Sequence, residues 1–106
     1  MNFLSVRPIV ESYREALTEL YGPVLDRVVL FGSRARGDSG PDSDYDVAVF
    51  LQEVGAGMTE WNRLADLRTR FLDAGGPFFD AIPFRASDYQ ASTPLMAEIK
   101  RDGVVL

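Results

Sequence analysis

Cysteine and histidine are both absent from the 106 residues, and lysine occurs once, at Lys100. Without thiols there is no disulfide frame and no thiol nucleophile. Without imidazole there is no histidine general base, and without either there is no ordinary zinc site. Any metal held by this chain must be a hard cation bound through oxygen, which leaves Mg²⁺, Mn²⁺ or Ca²⁺. The missing cysteines fit a reducing cytoplasm. Long apolar runs are missing too. Stretches such as residues 47–51 fall far short of the roughly 20 residues that a membrane span needs. The first eleven residues, with Arg7 and Pro8 among them, show no targeting pattern. A cytoplasmic protein with no membrane association is expected. Positive charge is also scarce: 11 Lys+Arg against 16 Asp+Glu give a net charge of −5. That balance argues against direct nucleic-acid binding, which favours a basic surface. Arginine dominates what positive charge there is. The bias suits bidentate phosphate contacts, but GC-rich coding gives the same result and is the plainer reading.

What is present suits one compact domain over residues 1–106, with 46% hydrophobic and 25% charged residues. Ile9, Val10, Tyr13, Leu17 and Leu20 recur at helical spacing, and Gly22-Pro23 ends the pattern. Residues 24–31 are short, apolar and β-branched, which predicts a buried strand. Residues 32–43 (GSRARGDSGPDS) form a loop with room for one helical turn after Ser33. A second strand covers residues 44–51. Thr59 is a plausible N-cap for a helix whose face carries Trp61, Leu64, Ala65, Arg68, Phe71 and Leu72, with Trp61, Phe71 and Phe79 expected in the core. Residues 78–83 give a third strand closed by Pro83. A weaker helical signal covers residues 94–101, and residues 104–106 either add an edge strand or simply pack. The order α-β-β-α-β-α is that of an α/β (α+β) domain with a small mixed sheet flanked by helices.

The densest chemistry lies between Gly32 and Asp46, where four of the sixteen acids (Asp38, Asp42, Asp44 and Asp46) fall within fifteen residues. Gly32-Ser33 sits where a buried strand turns. Glycine there allows close backbone approach to a ligand, and serine offers a hydroxyl and an N–H to a phosphate. Asp44 and Asp46 are two apart in a strand, so they share a face at a separation of roughly 6.6 Å. Their carboxylates can converge on one or two divalent cations. Two cations roughly 3.5–4 Å apart would serve an in-line phosphoryl displacement. Asp80, alone among the apolar residues of the third strand, is the candidate third acid, as metal bridge and general base. It can equally be a carboxylate at a strand end or a helix N-terminus. Two other motifs fail. A Walker A loop needs a lysine where Asp38 follows Gly37. An EF-hand reading of Asp42, Asp44, Asp46 and Glu53 places Val47 where the turn demands glycine.

GSRARGDSGPDSDYDVAVF resembles the signature of the nucleotidyltransferases of the DNA polymerase beta superfamily: GS, about ten residues, then DxD. Gly32, Ser33, Asp44 and Asp46 match it, with ten residues between Ser33 and Asp44. The length and the RARGDSGPDSDYD wording are similar to the minimal nucleotidyltransferases (MNT), short prokaryotic antitoxins paired with HEPN-domain toxins. The resemblance implies a nucleotidyltransferase fold, ATP with Mg²⁺ (two ions), and transfer of a nucleoside monophosphate to a hydroxyl with loss of pyrophosphate. Gly32 and Ser33 would then hold the β/γ-phosphates, and Asp44, Asp46 and Asp80 would be the catalytic and metal-binding acids. Arg34 and Arg36 would touch phosphates or an acidic partner, or else remain solvated and pair with Asp38 and Asp42. The acceptor implied is a tyrosine of a HEPN RNase toxin, in a hetero-oligomer with it. Such a small chain has little left over to recognise a second substrate by itself. The rival reading is a non-catalytic antitoxin that neutralises by binding and occlusion, against which the intact acids speak. A third, modification of a small molecule, lacks an acceptor domain.

Overall fold

The computed structural model describes residues 3–38, 40 and 44–106. A first helix, α1 (Phe3–Tyr21), runs through a 3₁₀ turn (Gly22–Val24) into β1 (Leu25–Phe31). A single helical turn, α2 (Ser33–Arg36), follows, then β2 (Tyr45–Leu51), α3 (Thr59–Asp73) and β3 (Phe79–Arg85). A second 3₁₀ turn (Ala86–Gln90) leads to α4 (Pro94–Asp102) and the short β4 (Val104–Val105). The strands make one mixed sheet in the order β3-β2-β1-β4. β1 pairs antiparallel with β2 and β4, and β2 pairs parallel with β3. The small mixed sheet expected from the element order is therefore present, and residues 104–105 do add an edge strand.

Alternation along β2 assigns its two faces. Tyr45, Val47, Val49 and Leu51 join Val28, Leu30, Phe79 and Ala81 in a core covered by α1 and α3. Tyr13 stacks on Phe79 at 3.9 Å between ring centroids, and Phe71 meets both rings edge-on at 5.4 Å. On the other face Val29, Phe31, Ala48 and Phe50 pack against Met96 and Ile99 of α4. Because i and i+2 share a face in a strand, Asp46 joins this second side.

Four details depart from the sequence reading. α1 buries Val10, Tyr13, Leu17 and Tyr21 and leaves Ile9 and Leu20 exposed. Thr59 does not cap α3: it is the first helical residue, and its hydroxyl donates to the Ala56 carbonyl at 2.7 Å. α3 packs through Glu60, Leu64, Leu67 and the half-buried Phe71, while Trp61 stays 45% exposed and Leu72 faces outward. Glu60 can be buried because its carboxylate accepts from Gly55 N–H at 2.7 Å and pairs with Arg63 at 3.4 Å. Pro83 does not end its strand, since β3 continues to Arg85. The Tyr45 N–H donates to the Phe78 carbonyl at 3.0 Å. In a parallel ladder that phase turns Asp80, Ile82 and Phe84 toward β2 and leaves Pro83 on the free edge, where a missing N–H goes unnoticed.

Candidate functional site

The site forms where β1 ends. Gly32 has φ 73° and ψ −158°, a combination reserved for glycine. A Cβ there would also collide with the Asp46 carboxylate. Two separate constraints thus demand glycine at this position. The turn that follows closes on itself: Ala35 N–H and Arg36 N–H donate to the Gly32 carbonyl, each at 3.1 Å. Gly37, at φ 83°, and Asp38 return their N–H groups to the Ser33 carbonyl at 3.0 and 3.2 Å. The helical turn expected after Ser33 is therefore present, and it fixes Ser33, half-buried, beside the end of β1.

Register brings two of the three acids together. Phe31 lies opposite Asp46, and Asp46 lies opposite Asp80. Adjacent strands are about 4.8 Å apart, so Asp46 and Asp80 stand side by side on the α4 face. Asp44 precedes β2 by one residue and is exposed. Asp80 is exposed as well, so the cost of burying a lone acid, which pointed to it from the sequence, does not apply. Its position follows instead from the β2–β3 register. The Asp46 carboxyl is half-buried, and its pKa lies above the ordinary carboxylate value. Burial is the main cause, followed by the negative charges of Asp80, Asp44 and Glu98, with Arg36 acting the other way. Among the described residues no group of three or more acids is drawn tight enough to form a ready-made metal cage. The donor set nevertheless suits a hard divalent cation: it is all carboxylate, and the charges of Asp80 and Asp44 add to the cost of ionising Asp46.

The two arginines of the turn part company. Arg34 is only 6% exposed and lays its guanidinium 4.5 Å from the centroid of the Tyr45 ring, on the opposite side of β2 from Asp46. Arg36 points to the open side and pairs with Asp38 at 3.1 Å and Glu98 at 3.6 Å. The pairing expected between the loop arginines and Asp38 is thus found at Arg36, while Asp42 lies outside the described residues. Glu98 was missed in the sequence because nothing local marks it. Its place at the site comes from α4 docking through Met96 and Ile99. Among the described residues no helix is long and apolar enough to cross a membrane.

Comparison with known proteins bears on the family and the fold. Residues 18–106 match the family model described as polymerase beta, nucleotidyltransferase. A chain from Methanocaldococcus jannaschii, described as a candidate protein adenylyltransferase, is 29% identical over 68 residues, covering 64% of this chain and 68% of the relative. Among solved structures, a chain from a toxin–antitoxin complex with AMP-PNP superposes with a TM-score of 0.64 at 24% identity, over 90% of this chain and 70% of that one. A chain from the complex of a tri-AMPylated Shewanella oneidensis HEPN toxin with its MNT antitoxin gives 0.55 at 21% identity, over 90% and 69%. At such identities the solved structures establish a shared fold.

Proposed function

The chain belongs to the polymerase beta nucleotidyltransferase family, and from that premise we propose that it is a Mg²⁺-dependent protein adenylyltransferase, acting in the cytoplasm as the antitoxin of a toxin–antitoxin pair. It would transfer AMP from ATP to a tyrosine hydroxyl of a HEPN RNase toxin held in a hetero-oligomer with it, and so inactivate that toxin. Residues 1–106 would work as one nucleotidyltransferase domain. The observation that carries the reading is the in-register pair Asp46–Asp80 beside a glycine that can tolerate no side chain. Likeness to the candidate adenylyltransferase and to the fold of the MNT–HEPN complex supports the choice of acceptor.

In the reaction, the acceptor oxygen forms a bond to the α-phosphorus of ATP as the bond to the β-phosphate oxygen breaks. Pyrophosphate leaves, and the hydroxyl proton passes to a carboxylate. Asp80 suits that last task, being exposed at the start of an edge strand where a bulky acceptor can reach it. Asp44 and Asp46 would hold Mg²⁺, with Asp80 as a third ligand, and the bound cation would supply charge neutralisation for nucleophile and leaving group. Gly32 and Ser33 would seat the β/γ-phosphates, with Arg36 on the open side of the turn. Arg34, buried on Tyr45, would hold the turn in place from beneath rather than meet phosphate directly.

Incubation with ATP, Mg²⁺ and the product of the adjacent gene, followed by intact-mass measurement of that candidate partner, tests this. One or more AMP additions are expected, and Asp46→Asn should abolish them. Full neutralisation of the RNase by Asp46→Asn with no mass change would replace transfer with occlusion.

A further inference from the structure

Arg36 ends α2 between two carboxylates of different origin. Asp38 lies two residues away and belongs to the same turn. Glu98 comes from α4, near the other end of the chain, and α4 is fixed by Met96 and Ile99 buried against Val29, Phe31, Ala48 and Phe50. The core, and not the loop, therefore decides where Glu98 stands. From there its Oε1 lies 3.6 Å from Nη1 of Arg36, while Asp38 Oδ2 lies 3.1 Å from Nε. The Arg36 and Glu98 side chains are 39% and 37% exposed. Water screens such a pair, so it is weak and exchangeable. A phosphate carries more charge than one carboxylate and presents several oxygens to the guanidinium fork, so it competes well for the same arginine.

We propose that Glu98 is a positioning residue, holding Arg36 at the rim of the site in the nucleotide-free protein and yielding it to the triphosphate on binding. Glu98 thereby sets nucleotide affinity without touching the nucleotide. This rests on the nucleotidyl-transfer reading above. The Arg36 guanidinium pairs directly with two carboxylates, Asp38 and Glu98, and feels the charge of Asp102 on α4 besides, so an arriving triphosphate competes with these pairings for it. Asp38 moves with the turn that carries Arg36, whereas Glu98 sits on a separate, core-anchored helix. Glu98 is the partner from which Arg36 can part.

The test uses the full chain as wild type, Glu98→Gln, Arg36→Gln and the double variant, with ATP and Mg²⁺ as the probe in calorimetry. Glu98→Gln should tighten ATP binding by about 3- to 5-fold, as expected for release from an exposed ion pair. It should lower KM for ATP by the same factor and leave kcat within about twofold. Glu98→Asp, which keeps the charge, should stay nearer the wild type. Arg36→Gln should loosen ATP by about tenfold, and adding Glu98→Gln to it should change nothing further. Melting temperatures of the four proteins without nucleotide or metal give an independent readout, and the two single shifts should not add. Weaker ATP binding in Glu98→Gln would overturn the proposal. So would the same gain in the Arg36→Gln background, since simple repulsion between Glu98 and phosphate would then be enough. Additive melting shifts with ATP binding intact would remove the latch and leave nucleotidyl transfer standing. A wild type that does not bind ATP, with the melting shifts still coupled, would overturn the nucleotidyl-transfer reading and the yielding step with it.

Discussion

The two faces of β2 are built from one strand and have opposite tasks. On the α1/α3 side, Tyr45, Val47, Val49 and Leu51 are all buried, and the aromatic rings of Tyr13, Phe71 and Phe79 close over them. On the α4 side the same strand begins with Asp46 before continuing with Ala48 and Phe50, and the cover is one nine-residue helix together with Tyr89 of the second 3₁₀ turn. One face is sealed with apolar contact. The other spends its first strand position on a carboxylate whose burial and neighbours work against its ionisation. The larger apolar core thus lies on one side of the sheet and the proposed site on the other. A two-residue period is all that separates them.

Asp46→Asn presses hardest on this contrast. On the proposed reading Asp46 holds the cation, and its loss would remove several kcal/mol of transition-state stabilisation, so AMP transfer should fall by about 10³-fold or more in single-turnover assays. The fold should survive, because a neutral amide removes the repulsion from Asp80, Asp44 and Glu98. Its melting temperature without metal should equal or exceed that of the wild type. The pH dependence follows from the sign of the shift. A carboxyl that titrates higher in the folded chain keeps a proton that the unfolded chain has already lost. Its contribution to stability therefore falls as pH rises from the ordinary carboxylate value to the raised one. The advantage of Asp46→Asn should grow across that window and stay constant above it. A variant that melts well below the wild type near neutral pH would show Asp46 to be a structural acid.

Gly32→Ala attacks the same site through the backbone. The substitution meets a forbidden φ/ψ region, at about 1–3 kcal/mol, and a clash with Asp46 besides. It should lower the melting temperature measurably and lose transfer activity together with ATP affinity. Wild-type stability with an alanine here would mean that the turn can leave Asp46 at little cost.

The motif was legible because its parts are close in sequence: strand, Gly32-Ser33, loop, Asp44 and Asp46. The sheet's make-up was legible from apolar runs and turn residues. What escaped depends on contacts between distant segments. Asp80 was singled out by a burial argument that fails, since it is exposed, and it reaches Asp46 through a parallel register that no local pattern specifies. Trp61 fitted an apolar helical face, yet α3 turns Glu60 inward instead, because a backbone N–H at Gly55 and the Arg63 guanidinium satisfy the carboxylate. Pro83 looked terminal, but β3 is an edge strand with one side free. Glu98 enters the site only because Met96 and Ile99 seat α4 on the second face.

The mildest expected effect belongs to the sealed face. Tyr13 is fully buried between Phe79 and Phe71, and its hydroxyl has no hydrogen-bond partner among the described residues. Burial also pushes its pKa far above the ordinary phenol range, so it stays neutral throughout. A buried hydroxyl without a partner forfeits its hydration and gains nothing in exchange. Tyr13→Phe keeps the ring and its stacking and removes only that oxygen. It should therefore stabilise the chain by about 1 kcal/mol, or raise Tm by about 4–8 °C for a domain of this size. Transfer activity per molecule should not change, because the ring lies across the sheet from Asp46 and Asp80. A fall in Tm would show that the hydroxyl does have a partner, and a fall in activity at unchanged Tm would show that the two faces are coupled through β2. Either result would break the division of labour between the faces, and the expected one would sharpen it.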